Sequence, residues 1–310
     1  MISVALCTFN GEKYIREQIN SILNQTMRVD EIVICDDLST DNTVSIVQEL
    51  ADFYPTTTFR IEVNEKKLGV RLNFEKALHL CSGDIRFLSD QDDIWMPEKV
   101  ATIYVFFQSH PNKDVVFTNA WLINEDGIII SEKNIFDCVG LDSTFLHKAT
   151  LDNYIDLFLV ENRATGATMA IKKTVNVFFD YPTTLLHDYI LAIEALTRNS
   201  LGIIDVPLIK YRIHSSQTLG LGEALQTPWS NNFLDLAYED FDGYPLPDLL
   251  HKKIKMRQLR YKWIAGMKGV LSIIRNWRKY KKTYPTNWNE FMLYDIRQTI
   301  IHFKSRHRFS

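Results

Sequence analysis

Three carboxylates stand within four positions in the segment Ser89–Asp93, directly after an apolar run and directly before Ile94–Pro97. They are Asp90, Asp92 and Asp93, and because like charges repel, a folded protein keeps all three ionised only beside a cation or several hydrogen-bond donors. Two carboxylates one residue apart can hold a hard divalent metal and leave positions open for phosphate oxygens. The same spacing occurs in solvated turns, so the pattern alone leaves both interpretations open.

A second acidic pair, Asp36 and Asp37, ends another apolar segment. These two could simply be turn and helix-cap carboxylates. In the functional interpretation, Asp37 accepts a hydrogen bond from the N3–H of a pyrimidine base. The residues that would line the same pocket from the first predicted strand are Thr8, Phe9 and Asn10. A nucleotide held there could place its diphosphate near Asp90 and Asp92, where Mg²⁺ or Mn²⁺ would bridge carboxylate and phosphate oxygens.

Strand and helix patterns alternate over the first ninety or so positions that contain these residues. The predicted strands are residues 2–8, 31–35, 59–63 and 85–88, and the predicted helices are residues 12–25, 44–50 and 73–81. Such alternation predicts an α/β fold with a mostly parallel sheet flanked by helices. Ligands of these sheets bind at the carboxyl ends of the strands, and Asn10, Asp37 and Asp90 all fall at such ends.

The order of elements changes after residue 98. The sequence predicts helices at 98–109, 151–160 and 186–196, strands at 115–122, 128–130, 201–204 and 208–212, a polar loop up to about residue 150, and a loop that enters a strand over 164–171. Residues 220–248, rich in Gly, Pro and Asn, are predicted to be a linker, and residues 249–282 and 287–305 are predicted to be two basic amphipathic helices. We therefore expect one domain over 1–219, in which the order of elements changes between 1–97 and 98–219, then the linker and a helical extension over 249–310.

Composition narrows the function classes. A chain of 310 residues that is 46% hydrophobic can bury a sizeable core. No apolar stretch is long enough to span a membrane, no signal-peptide pattern opens the chain, and four widely separated cysteines suit the reducing cytosol. Residues 251–310 carry 16 Lys and Arg against two acids, which leaves 19 basic and 36 acidic residues for the rest. This asymmetry indicates an anionic partner surface, either a membrane or a nucleic acid.

Several motifs together resemble the inverting GT-A glycosyltransferases of family 2. The matching segments are Val4–Gly11, Ser21–Thr26, Ile34–Thr43 and Ser89–Pro97. The resemblance covers about residues 1–215 and implies the GT-A fold, with the Asp-x-Asp pair Asp90 and Asp92 at the metal and diphosphate and Asp37 beside the base. It also implies that residues 1–219 are the catalytic domain, with a nucleotide-binding half over 1–97 and an acceptor-binding half over 98–219. One departure is Leu38, where the family usually has glycine.

Later motifs resemble those of bacterial rhamnosyltransferase-like members. These motifs are Thr165–Met169, His187–Tyr189 and Tyr211–Gln217. The resemblance implies that Asp188 is the general base, with a helix N-cap as its alternative role. It also implies that His214 completes the metal or diphosphate site, unless it is an ordinary surface histidine.

Other residues belong to the same predicted site, and most of them have an ordinary structural role as an alternative. Gly166 could let sugar or acceptor approach the backbone, or serve a turn. Trp95 could stack on a sugar or pack in the core, Asp93 could act through a water or cap a helix, and Asn73 follows a loop near the base.

The sequence thus predicts a metal-dependent, inverting hexosyltransferase that uses Mn²⁺ or Mg²⁺. The expected donor is dTDP-rhamnose, or UDP-glucose or UDP-galactose, and the acceptor is a hydroxyl of a lipid- or protein-linked glycan in bacterial surface polysaccharide or glycoprotein assembly. No QxxRW motif follows Asp188, so we expect single additions rather than processive polymerisation. A non-catalytic partner subunit of another glycosyltransferase is the alternative. A nucleotidyltransferase is disfavoured because Thr8–Glu12 lacks a triphosphate loop.

The basic segment leads to expectations about location. Tryptophans beside many cations suit a helix lying on an anionic bilayer, so we expect a cytoplasmic protein, peripheral on the inner face of the plasma membrane through 249–310. Docking of these helices on the catalytic domain and homo-oligomer formation remain alternatives. Nucleic acid is not expected as a partner, because no recognised module accompanies the charge.

Overall fold

The computed structural model describes residues 1–160, 162–177, 185–215, 217, 273–283, 292 and 296. The chain divides into two compact units, Met1–Asp240 and Phe241–Ser310. The predicted linker, residues 220–248, lies outside the described residues, so the predicted domain boundaries stay predictions. No helix among the described residues has the length and apolarity needed to cross a bilayer.

The first unit is built on one eight-stranded sheet with helices around it. Its strands are β1 (Ile2–Thr8), β2 (Glu31–Asp36), β3 (Thr58–Val63), β4 (Ile85–Ser89), β5 (Ile94–Trp95), β6 (Val115–Ile123), β7 (Met169–Lys172) and β8 (Leu201–Arg212). Its described helices are α1 (Ile15–Leu23), α2 (Thr43–Phe53), α3 (Val70–Leu80), α4 (Lys99–Ser109), α5 (Ile135–Val139), α6 (Ser143–Lys148), α7 (Leu151–Val160) and α8 (His187–Thr197). The strand order β3-β2-β1-β4-β7-β6-β8-β5 confirms the predicted α/β architecture.

Residues 1–97, the half predicted to bind the nucleotide, contain the run of parallel strands in this sheet. Strands β3, β2, β1 and β4 pair in parallel, and every residue of β1, β2 and β4 is buried. Helices cover both faces of such strands, which is why their sequences are nearly continuous apolar runs. β3 lies at the edge and alternates between exposed and partly buried residues. The parallel strands end at the same level, so Phe9, Asp37 and Asp90 begin loops that lie together at the carboxyl-terminal end of these strands.

The second half of the sheet mixes strand directions. β7 is antiparallel to both β4 and β6, β6 is parallel to β8, and β5 is antiparallel to β8. The β6–β8 pairing shifts register around Asn119, where β8 carries Pro207 and cannot donate a ladder hydrogen bond. The shift lets β8 run unbroken through Pro207 to Arg212. This continuity brings the polar end of β8 against the acidic segment.

Three sequence-based element predictions need correction, and one strand was missed. Residues 201–204 and 208–212 form one strand, β8, rather than two. Residues 128–130 contribute only an isolated bridge, between Ile123 and Ile129. The predicted polar loop before residue 150 contains α5 and α6, whose first turns are capped by Asn134 and Asp142. The two-residue strand β5 was not predicted.

The second unit is described over a short stretch. Helix α9 spans Trp277–Thr283, Ile273 and Tyr280 are buried, and the Arg278 guanidinium lies 5.6 Å from the centroid of the Trp277 ring. The rest of the predicted helices at 249–282 and 287–305 lies outside the described residues.

Candidate active site

The acidic segment is fixed to the first strand through Gln91. Its amide oxygen accepts from Phe9 N at 2.8 Å and its amide nitrogen donates to Phe9 O at 2.9 Å. A Cβ at position 11 would overlap this amide, so Gly11 is required for the Gln91 contact. Phe9 and Asp90 are therefore held on adjoining loops, as the sequence predicted.

Asp92 and His214, the two predicted metal ligands, meet although 122 positions separate them. His214 Nε2 lies 2.9 Å from Asp92 Oδ2, and the imidazole packs 5.0 Å from the centroid of the Tyr14 ring. Only 6% of the His214 side chain and 14% of the Asp92 side chain are exposed, so His214 is not an ordinary surface histidine.

Arg212, which was not predicted as a site residue, holds this region together. It is 1% exposed, its backbone N–H donates to Asp93 Oδ1 at 2.9 Å, and its Nε donates to Asp92 O at 2.7 Å. Nη2 reaches Glu17 Oε2 at 2.6 Å, and Nη1 donates to the carbonyl oxygens of Asn124 and Glu125. The guanidinium thus fixes the backbone that carries Asp92.

The carboxylates of the acidic segment repel one another. Burial, followed by the charges of Asp92 and Asp188, raises the pKa of Asp90 to about 7. Burial, followed by the charges of Asp92 and Asp90, raises the pKa of Asp93 well above its usual range. Asp93 Oδ2 is buried and finds no hydrogen-bond partner among the described residues. Among all the residues that the structure describes, no group of three or more His, Cys, Asp and Glu side chains is arranged to hold a metal ion.

Asp188 reaches the same region from α8. It is 8% exposed, Oδ2 accepts from Gly166 N at 3.1 Å, and Oδ1 accepts from Tyr189 N at 2.7 Å. Burial raises its pKa to about 6, against hydrogen bonds from these two amides and from the Asn162 side chain. The helix N-cap is Leu186, so the alternative N-cap role of Asp188 is wrong. The residue lies inside the first turn of α8.

The space beside Gly166 is filled by His187. A Cβ on Gly166 would lie 2.6 Å from His187 Nε2, and the imidazole is stacked on Phe74 at a centroid distance of 4.1 Å. Burial lowers the pKa of His187 to about 3, and neither ring nitrogen has a hydrogen-bond partner in the described parts of the chain. Glycine at position 166 therefore accommodates a neutral histidine.

Replacing Gly166 with alanine should destabilise the protein by about 1–3 kcal/mol, because the methyl group would have to displace an enclosed ring. Thermal unfolding measures the effect. The matched test is Gly166→Ala in a His187→Ala background, where the added methyl should cost clearly less because its obstacle is gone. Equal costs in the two backgrounds would contradict the steric explanation.

The predicted base pocket is closely tied together. Asp37 is 5% exposed and accepts from Asn64 Nδ2 at 2.9 Å, Leu68 N at 2.7 Å and Gly69 N at 2.9 Å. Asn73 donates to Cys35 O and accepts from Asn64, which also donates to Asp37, so its side chain is bonded to protein groups next to Asp37. Asp37 thus orders the loop between β3 and α3.

The loops after β1 and β2 are joined by polar contacts. Thr8 Oγ1 donates to Asp36 Oδ2 at 2.7 Å, and Ser39 N donates to Asp36 Oδ1, which gives Asp36 the turn role considered from the sequence. Asn10 N donates to Ser39 Oγ at 2.8 Å. Leu38 has φ +66°, a left-handed conformation that favours glycine and explains why the resemblance expects glycine there.

Trp95 belongs to the core. It is 3% exposed, its ring lies 5.6 Å from that of Phe87, and the Lys99 ammonium lies 4.0 Å from its centroid. These contacts match the core-packing alternative. Lys99 was not singled out from the sequence.

Comparison with known proteins finds similarity in both sequence and fold. The family model described as Glycosyl transferase family 2 matches residues 3–175. The chain is 32% identical over 231 residues to the dTDP-rhamnosyl transferase RfbG of Shigella flexneri, covering 69% of this chain and 73% of that protein. It is 28% identical over 224 residues to an uncharacterized glycosyltransferase of Haemophilus influenzae, covering 70% and 67%. Residues 1–349 of S. aureus TarS in complex with UDP-GlcNAc align with a TM-score of 0.60 at 16% identity, covering 98% of this chain and 91% of that one.

Proposed function

Because the chain belongs to glycosyl transferase family 2 and is a glycosyltransferase, we propose that it moves one hexose with inversion from a nucleoside-diphosphate sugar to an acceptor hydroxyl. One observation carries the proposal. Asp188, from α8, lies close enough to Asp90 for its charge to raise the pKa of Asp90. This proximity supports a single site that contains the candidate base and the candidate diphosphate-binding acids.

The proposed base is Asp188. The acceptor oxygen attacks the anomeric carbon while its proton passes to Asp188, and the bond from that carbon to the diphosphate oxygen breaks with its electrons going to the diphosphate. Attack from the face opposite the leaving group inverts the configuration. The amides of Gly166 and Tyr189 each engage one carboxylate oxygen, which orients the group without filling its remaining lone pairs.

A divalent cation is proposed to bind Asp92 and His214, with Asp90 beside the diphosphate. Carboxylate oxygen and imidazole nitrogen are suitable ligands for Mn²⁺, and a cation would relieve the repulsion among Asp90, Asp92 and Asp93. When bound, the metal neutralises charge that develops on the leaving diphosphate. The contribution of the protein itself is to hold Asp92 in place, through Arg212 at its backbone and His214 at its side chain.

The pH dependence of kcat/KM should report the base. Since Asp188 must be ionised to accept a proton and its pKa is raised to about 6, activity should rise with pH and level off above that value. Stability should change with pH in the opposite direction. Because the pKa of Asp188 is higher in the folded protein than its ordinary value, the contribution of this group to stability falls as pH rises from that ordinary value to about 6. A pH profile that is flat from pH 5 to 8 would contradict this role.

The donor proposed first is dTDP-rhamnose, since the relative in Shigella flexneri is named a dTDP-rhamnosyl transferase. UDP-glucose and UDP-galactose remain the next candidates, and the UDP-GlcNAc bound by TarS adds a further uridine donor to test. Thr8, Phe9, Asn10 and Asp37 are proposed to receive the base.

A donor screen with Mn²⁺, scored by nucleoside diphosphate release and by the anomeric configuration of the product, tests the proposal. Release with none of the donors, with glycan acceptors present, would favour the non-catalytic partner. A product that retains configuration would exclude direct displacement. Membrane association through 249–310, a lipid- or protein-linked acceptor and homo-oligomer formation remain proposals.

A further inference from the structure

Lys99 is a fully enclosed cation next to the candidate active site. It is the first residue of α4 and is 0% exposed, a rare environment for lysine because its charge loses hydration there. Burial lowers its pKa to about 7, although Asp93 and Asp90 act in the opposite direction. A hydrophobic residue would occupy this space at lower cost, so the ammonium group needs an explanation.

The ammonium group contacts the turn that holds Asp188. Lys99 Nζ donates to Ala167 O at 2.7 Å, and Ala167 is the middle residue of the 3-10 turn Gly166–Thr168. The N–H of the preceding residue, Gly166, donates to Asp188 Oδ2. A continuous set of contacts therefore runs from Lys99 through this turn to the candidate base.

Lys99 is also anchored on the side of the acidic segment. Its ammonium lies 4.0 Å from the centroid of Trp95, which stands in β5 two positions after Asp93. Gln25 fixes the same region, because its side chain accepts from Val100 N and donates to Met96 O. The lysine thus joins the backbone that follows the acidic segment to the backbone that holds the base.

We propose that Lys99 is a positioning residue for glycosyl transfer: its bond to Ala167 O holds the Gly166 turn so that Asp188 faces the reacting centre. The proposal rests on the proposed role of Asp188 as base. Displacement of a reacting group by about 1 Å can lower the rate by about 10²-fold, so a residue that only fixes the base can have a large effect.

The first test is Lys99→Met, which keeps a long unbranched side chain but lacks the terminal ammonium group and so removes the donor. We expect kcat to fall by about 10–100-fold while KM for the donor sugar changes by less than about 3-fold. The matched control is Lys172→Met, because Lys172 Nζ also donates to a backbone carbonyl, Pro111 O, at 2.8 Å and lies 5.5 Å from an aromatic ring. Lys172 pairs with the first residue of β4, whereas the candidate site follows the last residue of that strand, so its replacement should leave kcat unchanged.

A double-mutant cycle then tests whether Lys99 acts through Asp188. In an Asp188→Asn background, Lys99→Met should lower the residual rate by less than about 3-fold, because no base remains to be positioned. The proposal is overturned if Lys99→Met costs the same factor in both backgrounds, or no more than Lys172→Met. If Asp188→Asn alone keeps the normal rate, the proposed base is wrong. That outcome differs from the two that overturn only the role of Lys99.

Hydrogen exchange separates positioning from general loss of structure. In Lys99→Met, amides of the Gly166–Thr168 turn should exchange at least about 10-fold faster while those of β1 keep their rates. Faster exchange throughout the sheet would assign Lys99 a purely structural role. Should the methionine variant fail to fold, Lys99→Leu, which also lacks a donor, takes its place in the cycle with the same expected outcome.

Discussion

Replacing Asp188 with asparagine should lower kcat by about 10²–10⁴-fold, the range that positioned general bases contribute. Asparagine has nearly the same shape but cannot take the proton of the acceptor hydroxyl. Its amide nitrogen would also oppose one of the two N–H donors, Gly166 or Tyr189, that face the carboxylate. KM for the donor should change little, because the donor contacts proposed above lie on other loops.

Rates of nucleoside diphosphate release and of glycan formation measure this effect. Asp205→Asn is a suitable control, since Asp205 is an exposed acid on β8 whose carboxylate contacts Asn119. The control should retain normal kcat. An Asp188→Asn variant within a few-fold of the normal rate would remove the base assignment.

The second large effect is expected at Asp92. Asp92→Asn should lower kcat/KM by roughly 10²–10³-fold, similar to the loss of other groups that stabilise developing charge. The substitution removes a full negative charge from the proposed cation site and weakens the contact with His214 Nε2. Excess Mn²⁺ should restore part of the activity, because weakened binding can be offset by concentration.

Direct binding of Mn²⁺, followed by electron paramagnetic resonance of the free ion, provides a measurement independent of turnover. The control is Asp52→Asn on α2, where the exposed carboxylate accepts from Gln48. Unchanged Mn²⁺ affinity in Asp92→Asn, or full activity in the presence of EDTA, would contradict the proposed metal site.

Much of the fold of residues 1–97 could be predicted because its signals are local. Apolar runs ending at Thr8, Cys35 and Leu88 predict buried parallel strands, and parallel strands place the polar residues that follow them at one end of the sheet. The meeting of Asp92 with His214 depends on a strand more than one hundred residues away. It was expected only from the resemblance to family 2, since no local pattern reveals such a contact.

The supporting residues escaped sequence reasoning for a physical reason. Lys99 at the start of a helix and Arg212 at the end of a strand both have the composition of solvated positions. Their burial results from partners contributed by distant loops, such as Ala167 O and the carbonyl oxygens of Asn124 and Glu125. Gly166 was assigned to the site, but its steric role could not be predicted because its neighbour His187 is 21 positions away.

The long separation between Asp92 and its partners has a consequence for biosynthesis. Arg212 and His214 leave the ribosome after about 120 further residues have been added to the acidic segment. The parallel strands can pair early, whereas the bonds that fix Asp92 and Asp93 must wait for β8 to join the sheet. A nascent polypeptide that stops before residue 212 therefore lacks the groups that order its acidic segment, and we expect the ability to capture a sugar nucleotide to arise late in translation.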